Sequence, residues 1–257
     1  MGQAARIRIA TYNIHKCRGM DRRVRPERIA DVIRELDADV IALQEVVNAH
    51  ERPAFDQVRR LAGSLDGYAW RFGENRPLYG GEYGNMTLSR FPIRFSRNYD
   101  LTHGKYERRG CLRTDVVVGD ELVHVVNVHL GTGFFERPHQ AHRLMSPELL
   151  SSTEFKGHKL VLGDFNEWTR GLTTRLMQKG FQSIEVKKFL RYGRSYPGLF
   201  PLLHLDNFYF DPTLRVCNFK VHRSRKALIA SDHLPMFADL YLLKPPDFQD
   251  KGIQPRA

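Results

Sequence analysis

Several short apolar segments of this chain end abruptly in oxygen-bearing side chains, and this pattern restricts both the fold and the chemistry. The clearest example runs from Leu160 to Trp168, where an apolar segment meets Gly163 and is followed at once by Asp164 and Asn166. Because side chains alternate along an extended chain, residues two apart lie on the same side. A carboxylate and an amide therefore leave this predicted strand together.

Each of these strand ends has an ordinary structural explanation when it is taken alone. A single Asp-x-Asn sequence is most often an Asx turn, Glu45 after an apolar run fits an arginine partner, and His129 fits a hydrogen-bonded core histidine. The pattern recurs at one strand end after another, which favours a shared site over unrelated occurrences. Its members are Asn13, Glu45, His129, Asp164, Asn166, Asp206, Asp232 and His233.

The order of predicted elements favours an α/β fold with mixed sheets. Strands are predicted at 7–14, 39–46, 68–72, 86–89, 111–118, 122–130, 160–162, 205–210, 214–221 and 236–242, and helices at 26–36, 55–65, 136–150 and 172–179. The absence of strict strand–helix alternation disfavours a doubly wound parallel sheet. No linker-like change in composition divides the chain, so we expect one domain over residues 1–243 and a flexible C-terminal tail over 244–257.

Composition indicates the class of partner. A formal charge of +11 and an isoelectric point near 9.7 favour nucleic acid, an acidic membrane surface or a phosphorylated small molecule. The three cysteines lack C-x-x-C spacing, which argues against a disulfide framework or a structural zinc site. No apolar run approaches a membrane span and no signal core precedes the first strand, so a cytoplasmic location is expected.

The polar strand ends belong to a series of short motifs. In chain order these are Thr11-Tyr12-Asn13-Ile14, Leu43-Gln44-Glu45-Val46, Gly84-Asn85 with Leu88-Ser89-Arg90, Asn127-Val128-His129-Leu130, Gly163-Asp164-Phe165-Asn166, Leu205-Asp206 and Ser231-Asp232-His233-Leu234-Pro235. In these motifs the chain resembles the endonuclease/exonuclease/phosphatase superfamily, which is the deoxyribonuclease I-like group, over residues 7–242. The segments Asn13-Ile14-His15-Lys16 and Ser195-Tyr196-Pro197, the latter leading to Leu205-Asp206, most resemble an uncharacterised bacterial subgroup, which does not fix a substrate.

The resemblance implies a four-layer α/β sandwich, in which two mixed sheets pack face to face with helices outside. It also implies an active site at one edge, with Glu45 as the main metal carboxylate, Asn13 beside it, and Asp232 binding or positioning a metal. Carboxylate and amide oxygens without a thiolate favour a hard ion, so Mg²⁺ or Mn²⁺ is the expected cofactor. His15 stands where several relatives carry an acid, which leaves open whether one or two metals bind.

The same resemblance implies catalytic roles for the remaining polar residues. Asp164 and Asn166 would orient the attacking water and contact the phosphate. His233 paired with Asp206, together with His129, would transfer protons and contact the phosphate. An Asp–His pair fixes the imidazole tautomer and raises its basicity, which suits proton transfer near neutral pH.

Arginines are the expected phosphate-binding groups, although solvated surface arginines are the alternative at each position. The positions chosen are Arg109, Arg113, Arg137 and Arg225.

Three functions are compatible with these residues. The first is a metal-dependent phosphodiesterase that cleaves nucleic acid, with the basic segments 17–25 and 223–226 following the phosphate backbone. The second is a phospholipid- or inositol-phosphate-directed phosphoesterase, for which the apolar loop 192–203 either forms an interfacial element or packs on the sheet edge. The third is a non-catalytic binding module. The substrate, endo- versus exo-cleavage and the oligomeric state stay open at this stage.

Overall fold

A computed structural model describes residues 5–78, 80–152, 155–168, 171–183, 194–198 and 202–243. The predicted tail 244–257 lies outside the described residues, as do 192–193 and 199–201 of the predicted apolar loop. Among the described residues, twelve strands form two sheets of six strands each.

The first sheet is mixed, with one parallel pair at its centre. Its strands are β1 (Arg6–Asn13), β2 (Val40–Asn48), β3 (Ala69–Leu78), β4 (Gly81–Ser89), β11 (Leu214–Val221) and β12 (Met236–Leu242). Their order is β11-β12-β1-β2-β4-β3. The pair β1 and β2 is parallel, and the other neighbours are antiparallel.

The second sheet repeats this arrangement. Its strands are β5 (Ile93–Asp100), β6 (Gly110–Val118), β7 (Glu121–His129), β8 (His158–Asp164), β9 (Gln182–Ser183) and β10 (Asp206–Phe210). Their order is β5-β6-β7-β8-β10-β9, and β7 and β8 form the central parallel pair.

Helices cover the outer face of each sheet. They are α1 (Pro26–Leu36), α2 (Gln57–Ser64), α3 (Glu136–Leu144), α4 (Leu172–Met177) and α5 (Arg225–Ala230). Helices α1, α2 and α5 share a buried core with the first sheet, and α3 and α4 share a second buried core with the second sheet. A third core lies between the sheets. The predicted four-layer α/β sandwich is therefore confirmed.

Both faces of the central strands are buried, which explains why their sequences are almost continuously apolar. In β1, Ile7 and Ile9 belong to the core between the sheets, whereas Ala10 and Tyr12 belong to the core under the helices. Since water is excluded from both faces, polar side chains become accessible mainly where the strands end. The strand ends are thus the natural positions for a site.

Strand register brings the predicted site residues together. Asn13 is opposite Gln44 across the parallel pair of the first sheet. Asp164 is opposite His129 on one side and Asp206 on the other, across the second sheet. The carboxyl ends of both parallel pairs meet at the same edge of the sandwich.

The structure differs from the predicted elements at several places. The edge strand β5 was not predicted, and β3 extends beyond the predicted 68–72 to Leu78. The helix predicted over 136–150 ends at Leu144, where Pro147 follows within three residues. None of the helices in the described part of the chain is long and apolar enough to cross a bilayer.

Candidate active site

Asn13 connects the two sheets at the bottom of a cleft. Its side-chain nitrogen donates to Glu45 Oε1 at 3.2 Å and to Asp164 Oδ2 at 2.9 Å. Glu45 belongs to the first sheet and Asp164 to the second, so one amide fixes carboxylates from both. Its own oxygen accepts a hydrogen bond from the backbone of His15 at 3.0 Å.

An irregularity in β2 directs Glu45 toward the cleft. The register between β2 and β4 shifts between Leu43 and Val46, and Glu45 takes a left-handed backbone conformation with φ of 60°. Such a conformation costs a non-glycine residue about 1–2 kcal/mol. Bulges of this kind commonly redirect a side chain beside an active site.

A positive charge already neighbours Glu45. The ammonium group of Lys16 contacts the Glu45 carboxylate directly. Burial by itself would raise the pKa of Glu45, but the charge of Lys16 and the hydrogen bonds from Lys16 and Asn13 hold it below its usual range. Burial and the nearby Arg109 hold the pKa of His129 well below its usual range. His129 is therefore a neutral imidazole, and Lys16 supplies the charge that keeps Glu45 ionised.

Gly163 lets Asp164 reach the cleft. Its φ is 143°, and a Cβ atom there would lie 2.0 Å from the carbonyl oxygen of Val128. Asp164 Oδ1 accepts the backbone N–H of Asn166 at 2.9 Å, which is the expected Asx turn. The Asn166 amide in turn donates to the carbonyl of Leu130 at 2.9 Å. The local turn thus orients both polar side chains.

A chain of buried hydrogen bonds holds His233. Its Nδ1 lies 3.0 Å from Asp206 Oδ2, which also accepts the hydroxyl of Ser195 at 2.6 Å. Its Nε2 lies 3.7 Å from Asp164 Oδ2. Burial favours the neutral imidazole, but the charge and hydrogen bond of Asp206 outweigh it and raise the pKa of His233 to about 10. His233 is therefore an imidazolium at neutral pH.

Two groups of residues have the chemistry to hold a cation. Asp164, Asp206 and His233 are buried and offer ligand atoms within 4.8 Å of one another. In this buried group, however, protonated His233 has no free lone pair. Glu45 offers hard carboxylate oxygens at the cleft surface, with the Asn13 amide beside it, and the Lys16 ammonium lies against Glu45 as a metal cation would. A hard divalent ion therefore fits beside Glu45 better than within the buried group of Asp164, Asp206 and His233.

The cleft has a volume of about 380 Å³ and contains most of the predicted residues. Asp206 lies behind His233 and does not line the cleft. Asp232 lines it, with its carboxylate 3.4 Å from Nδ1 of His15. The predicted residues that line the cleft are Asn13, Glu45, His129, Asp164, Asn166, Asp232, His233 and Arg109.

Arg109 is the one predicted phosphate-binding arginine that the structure brings into the cleft. Its Nη1 lies 3.3 Å from both ring nitrogens of His129, and its Nη2 donates to Glu107 at 2.9 Å. Its side chain is only 5% exposed. No described residue accepts a hydrogen bond from its Nε atom.

The other three arginines lie elsewhere, which corrects the prediction. Arg113 is held by Asp115, with Nε 2.7 Å from Oδ1, because β6 directs it away from the cleft. Arg137 donates to the carbonyl of Thr132 at 2.6 Å and so braces a loop. Arg225 is the first residue of α5 and does not line the cleft.

Sequence reasoning assigned no role to several residues of the site, of which Lys16, Tyr196 and Ser195 matter most. Lys16 and Tyr196 line the cleft, and the Tyr196 ring lies 4.8 Å from the His233 ring, centre to centre. Ser195 supports Asp206 from behind. All three lie in the two segments that resemble the bacterial subgroup, which is the signal that the sequence offers for them.

Comparison with known proteins identifies the family. The model of the Endonuclease/Exonuclease/phosphatase family matches residues 10–233. Among curated proteins, the uncharacterized protein YbhP of Escherichia coli K12 is 31% identical over 252 residues, covering 92% of this chain and 96% of YbhP.

Solved structures share the fold. An endonuclease/exonuclease/phosphatase from Beutenbergia cavernae has a TM-score of 0.79 at 24% identity, covering 93% of this chain and 72% of its own. The mannosyl-6-phosphatase Bt3783 of Bacteroides thetaiotaomicron has a TM-score of 0.72 at 16% identity, covering 92% and 100%. A humanized D. rerio TDP2 has a TM-score of 0.71 at 14% identity, covering 91% and 98%. This chain therefore belongs to the endonuclease/exonuclease/phosphatase family.

Proposed function

We propose that this protein is a divalent-metal-dependent phosphodiesterase. The observation that supports this most is the convergence of two carboxylates and an imidazolium on one cleft. Asn13 donates to both Glu45 and Asp164, and His233 lies 3.7 Å from Asp164. These residues come from opposite sheets, so only the folded sandwich brings them together.

Glu45 and Asn13 would hold Mg²⁺ or Mn²⁺. The Glu45 carboxylate suits a hard ion, Asn13 would ligate through its oxygen once its amide is turned over, and Lys16 already neutralises Glu45 in the way that a metal would. Asp232 lies across the cleft as a further carboxylate. When bound, the ion supplies positive charge to the non-bridging oxygens of the phosphate.

Asp164 is the proposed acceptor of a proton from the attacking water. Burial raises its pKa, which makes it a better base than an exposed aspartate. As water attacks, a new P–O bond forms, the ester P–O bond breaks, and the leaving oxygen takes a proton from the solvent. Asn166, fixed by Leu130, contacts the phosphate.

His233 stabilises the negative charge that develops during this step. Asp206 holds its Nδ1, so the Nε2–H bond is directed into the cleft beside Asp164. Neutral His129, against Arg109, offers a second contact to the phosphate. Preorganised donors of this kind contribute about 2.7–4 kcal/mol each to transition-state stabilisation.

Two substrates have specific support. Nucleic acid is favoured by the net charge of +11 and by exposed arginines beside Lys16, which are Arg18, Arg22 and Arg52. A phospholipid is favoured by exposed aromatic side chains, of which Trp168 lines the cleft and Phe134 and Phe135 follow the cleft residue Thr132 along the chain. Both substrates are phosphodiesters and use the same proposed chemistry.

The test is hydrolysis of bis(p-nitrophenyl) phosphate with Mg²⁺ or Mn²⁺, followed by nucleic acids and phospholipids. We expect Glu45→Gln and Asp164→Asn to lower the rate by about a hundredfold or more while circular dichroism stays unchanged. Asp120→Asn is the matched control, since Asp120 lies in the turn at the far end of β7. Undiminished turnover in both cleft variants would contradict the proposed active site, whereas no turnover by the wild type on any of these substrates would leave the non-catalytic binding module.

A further inference from the structure

Large apolar side chains are exposed around the cleft. Phe134 is 71% exposed, Phe135 73%, Trp168 64%, Leu172 53% and Leu202 65%. We call these five residues the apolar rim. Single exposed apolar residues are common on protein surfaces, but a group on one face of a molecule indicates a binding surface.

The apolar rim belongs to the loops that form the cleft mouth. Trp168 lines the cleft itself. Thr132 and Leu203 also line it, and they lie in the same loops as the rim residues Phe134 and Leu202. Its two phenylalanines follow β7 and pack edge to face, with ring centres 5.4 Å apart. Leu172 begins α4, directly after the loop of Trp168. A surface that covers Trp168 and the loops of Thr132 and Leu203 therefore also covers the mouth of the proposed active site.

A cationic pocket, which we call the arginine pocket, adjoins the same cleft. It measures about 520 Å³ and is lined by Arg18, Arg22 and Arg52, with Phe55 exposed beside them. Within the described part of the chain, none of these three arginines has an ion-pair partner, and no carboxylate lines the pocket. Lys16 lines both this arginine pocket and the cleft. A ligand that carries both anionic and apolar groups would thus find complementary surfaces side by side.

We propose that this face docks on an anionic phospholipid surface, with the apolar rim entering the lipid and the arginine pocket binding headgroup phosphates. The combination of exposed Phe, Trp and Leu with arginines is typical of interfacial membrane binding. A nucleic acid strand would stack on aromatic rings, but Leu172 and Leu202 offer no stacking face. The inference rests on the proposed phosphodiesterase and names its substrate class, a phosphodiester presented at a lipid surface.

Vesicle co-sedimentation tests the docking independently of catalysis. We expect the wild-type protein to bind vesicles of phosphatidylcholine and phosphatidylglycerol in equal parts, and to bind phosphatidylcholine alone much more weakly. The double variant Phe134→Ser, Phe135→Ser should lower the partition coefficient about tenfold or more, because two large apolar side chains no longer enter the lipid.

A matched control removes two exposed aromatic rings at the opposite end of the sandwich. Trp70 is paired with Leu88 and Phe95 with Asp115, both far along the strands from the cleft. The double variant Trp70→Ser, Phe95→Ser should sediment with the vesicles as the wild-type protein does. Replacing the three pocket arginines by Gln should abolish the preference for phosphatidylglycerol and the salt dependence of binding.

The outcomes separate the docking from the chemistry. Phe134→Ser, Phe135→Ser should hydrolyse bis(p-nitrophenyl) phosphate at the wild-type rate while it loses vesicle binding. Equal vesicle binding by this variant and the wild type would overturn the proposal, and so would absent binding by the wild type.

If the variant instead loses affinity for a fluorescent single-stranded oligonucleotide and vesicles are never bound, the rim is a nucleic-acid-binding surface and the lipid inference is wrong. Vesicle binding without any hydrolysis would sustain the docking and contradict the proposed phosphodiesterase.

Discussion

Ser195 is fully buried behind the cleft, where its hydroxyl donates to the same Asp206 oxygen that holds His233. The other Asp206 oxygen has no hydrogen-bond partner among the described residues. The orientation of this carboxylate therefore depends on two contacts. Ser195 is a positioning residue, because it touches Asp206 and not the cleft.

Ser195→Ala should lower kcat about tenfold and leave KM nearly unchanged. A hydrogen bond to a charged group contributes about 1.5–3 kcal/mol, and part of that loss should appear as misorientation of His233 in the transition state. Steady-state kinetics on a soluble phosphodiester measures the split between kcat and KM. Ser151→Ala, which removes an exposed hydroxyl that donates to Met145, is the control. A kcat equal to that of the wild type would contradict this role.

Asp239 illustrates a structural use of a buried carboxylate in the same fold. Its side chain is 1% exposed and contacts Arg8 at 2.8 Å and Arg6 at 3.0 Å. Burial would raise its pKa, but hydrogen bonds from Arg8, Asn218 and Arg6 lower it to about 2. A pKa below that of the unfolded chain means that ionised Asp239 stabilises the fold at neutral pH.

The contribution of Asp239 should be fully present above about pH 4 and should decline as the pH falls toward its folded pKa. We expect Asp239→Asn to lower the free energy of unfolding by about 1–2 kcal/mol at neutral pH, after allowance for solvent around Arg6. Urea denaturation at several pH values measures the difference between variant and wild type. A difference that does not shrink in acid would contradict this assignment, and Asp120→Asn should show no difference at any pH.

Sequence reasoning at the residue scale succeeded where a side chain follows from strand alternation and failed where it follows from a turn. Asp164 reaches the cleft because it ends an extended strand, whereas Asn166, expected from the same alternation, reaches it through the turn that follows, with φ of 49°. Lys16 reaches Glu45 through a left-handed backbone conformation with φ of 56°, which no periodicity reveals. Arg113 shows the converse error, since its strand was predicted but the face on which it lies was not.

At the scale of elements, the parallel pair β7 and β8 determines where Asp164 lies. The two strands approach so closely at Gly163 that no side chain fits between them. A glycine is therefore required at this position both for space and for its φ of 143°.

Gly163→Ala should reduce the free energy of unfolding by about 3 kcal/mol or more, because the added Cβ collides with backbone. It should also abolish hydrolysis, since Asp164 is displaced with the strand. Gly63→Ala in α2 is the matched control, because a Cβ there meets nothing within 4 Å. That variant should keep the wild-type stability or gain up to about 1 kcal/mol. Denaturant titration compares the two, and an equal effect would contradict the close-approach explanation.

The central strands could be predicted from sequence because burial on both faces makes them apolar throughout. The edge strand β5 could not, since none of its eight residues is buried and most are polar. It forms because β6 offers hydrogen-bond partners, for example between Asn98 and Leu112. Edge strands are thus decided by tertiary pairing more than by their own sequence.

At the scale of the whole molecule, the proposed metal site exists only when the chain is folded, because Asn13 and Glu45 come from different strands. Asn13 ties Glu45 of the first sheet to Asp164 of the second, and no local segment contains all three. The unfolded chain should therefore bind a divalent ion far more weakly than the folded one. Metal binding and global stability are coupled for that reason.

Adding Mg²⁺ or Mn²⁺ should raise the melting temperature in a saturable way. An ion at about a hundred times its Kd stabilises the fold by about 2.7 kcal/mol, which corresponds to about 5–10 °C for a chain of this size. Glu45→Gln should lose most of this shift, whereas Lys16→Gln should bind the ion more tightly because its ammonium no longer competes for Glu45. Differential scanning calorimetry with and without EDTA measures these shifts. An equal metal-induced shift in Glu45→Gln and in the wild type would locate the ion away from Glu45, so the buried group of Asp164, Asp206 and His233 would become the metal site.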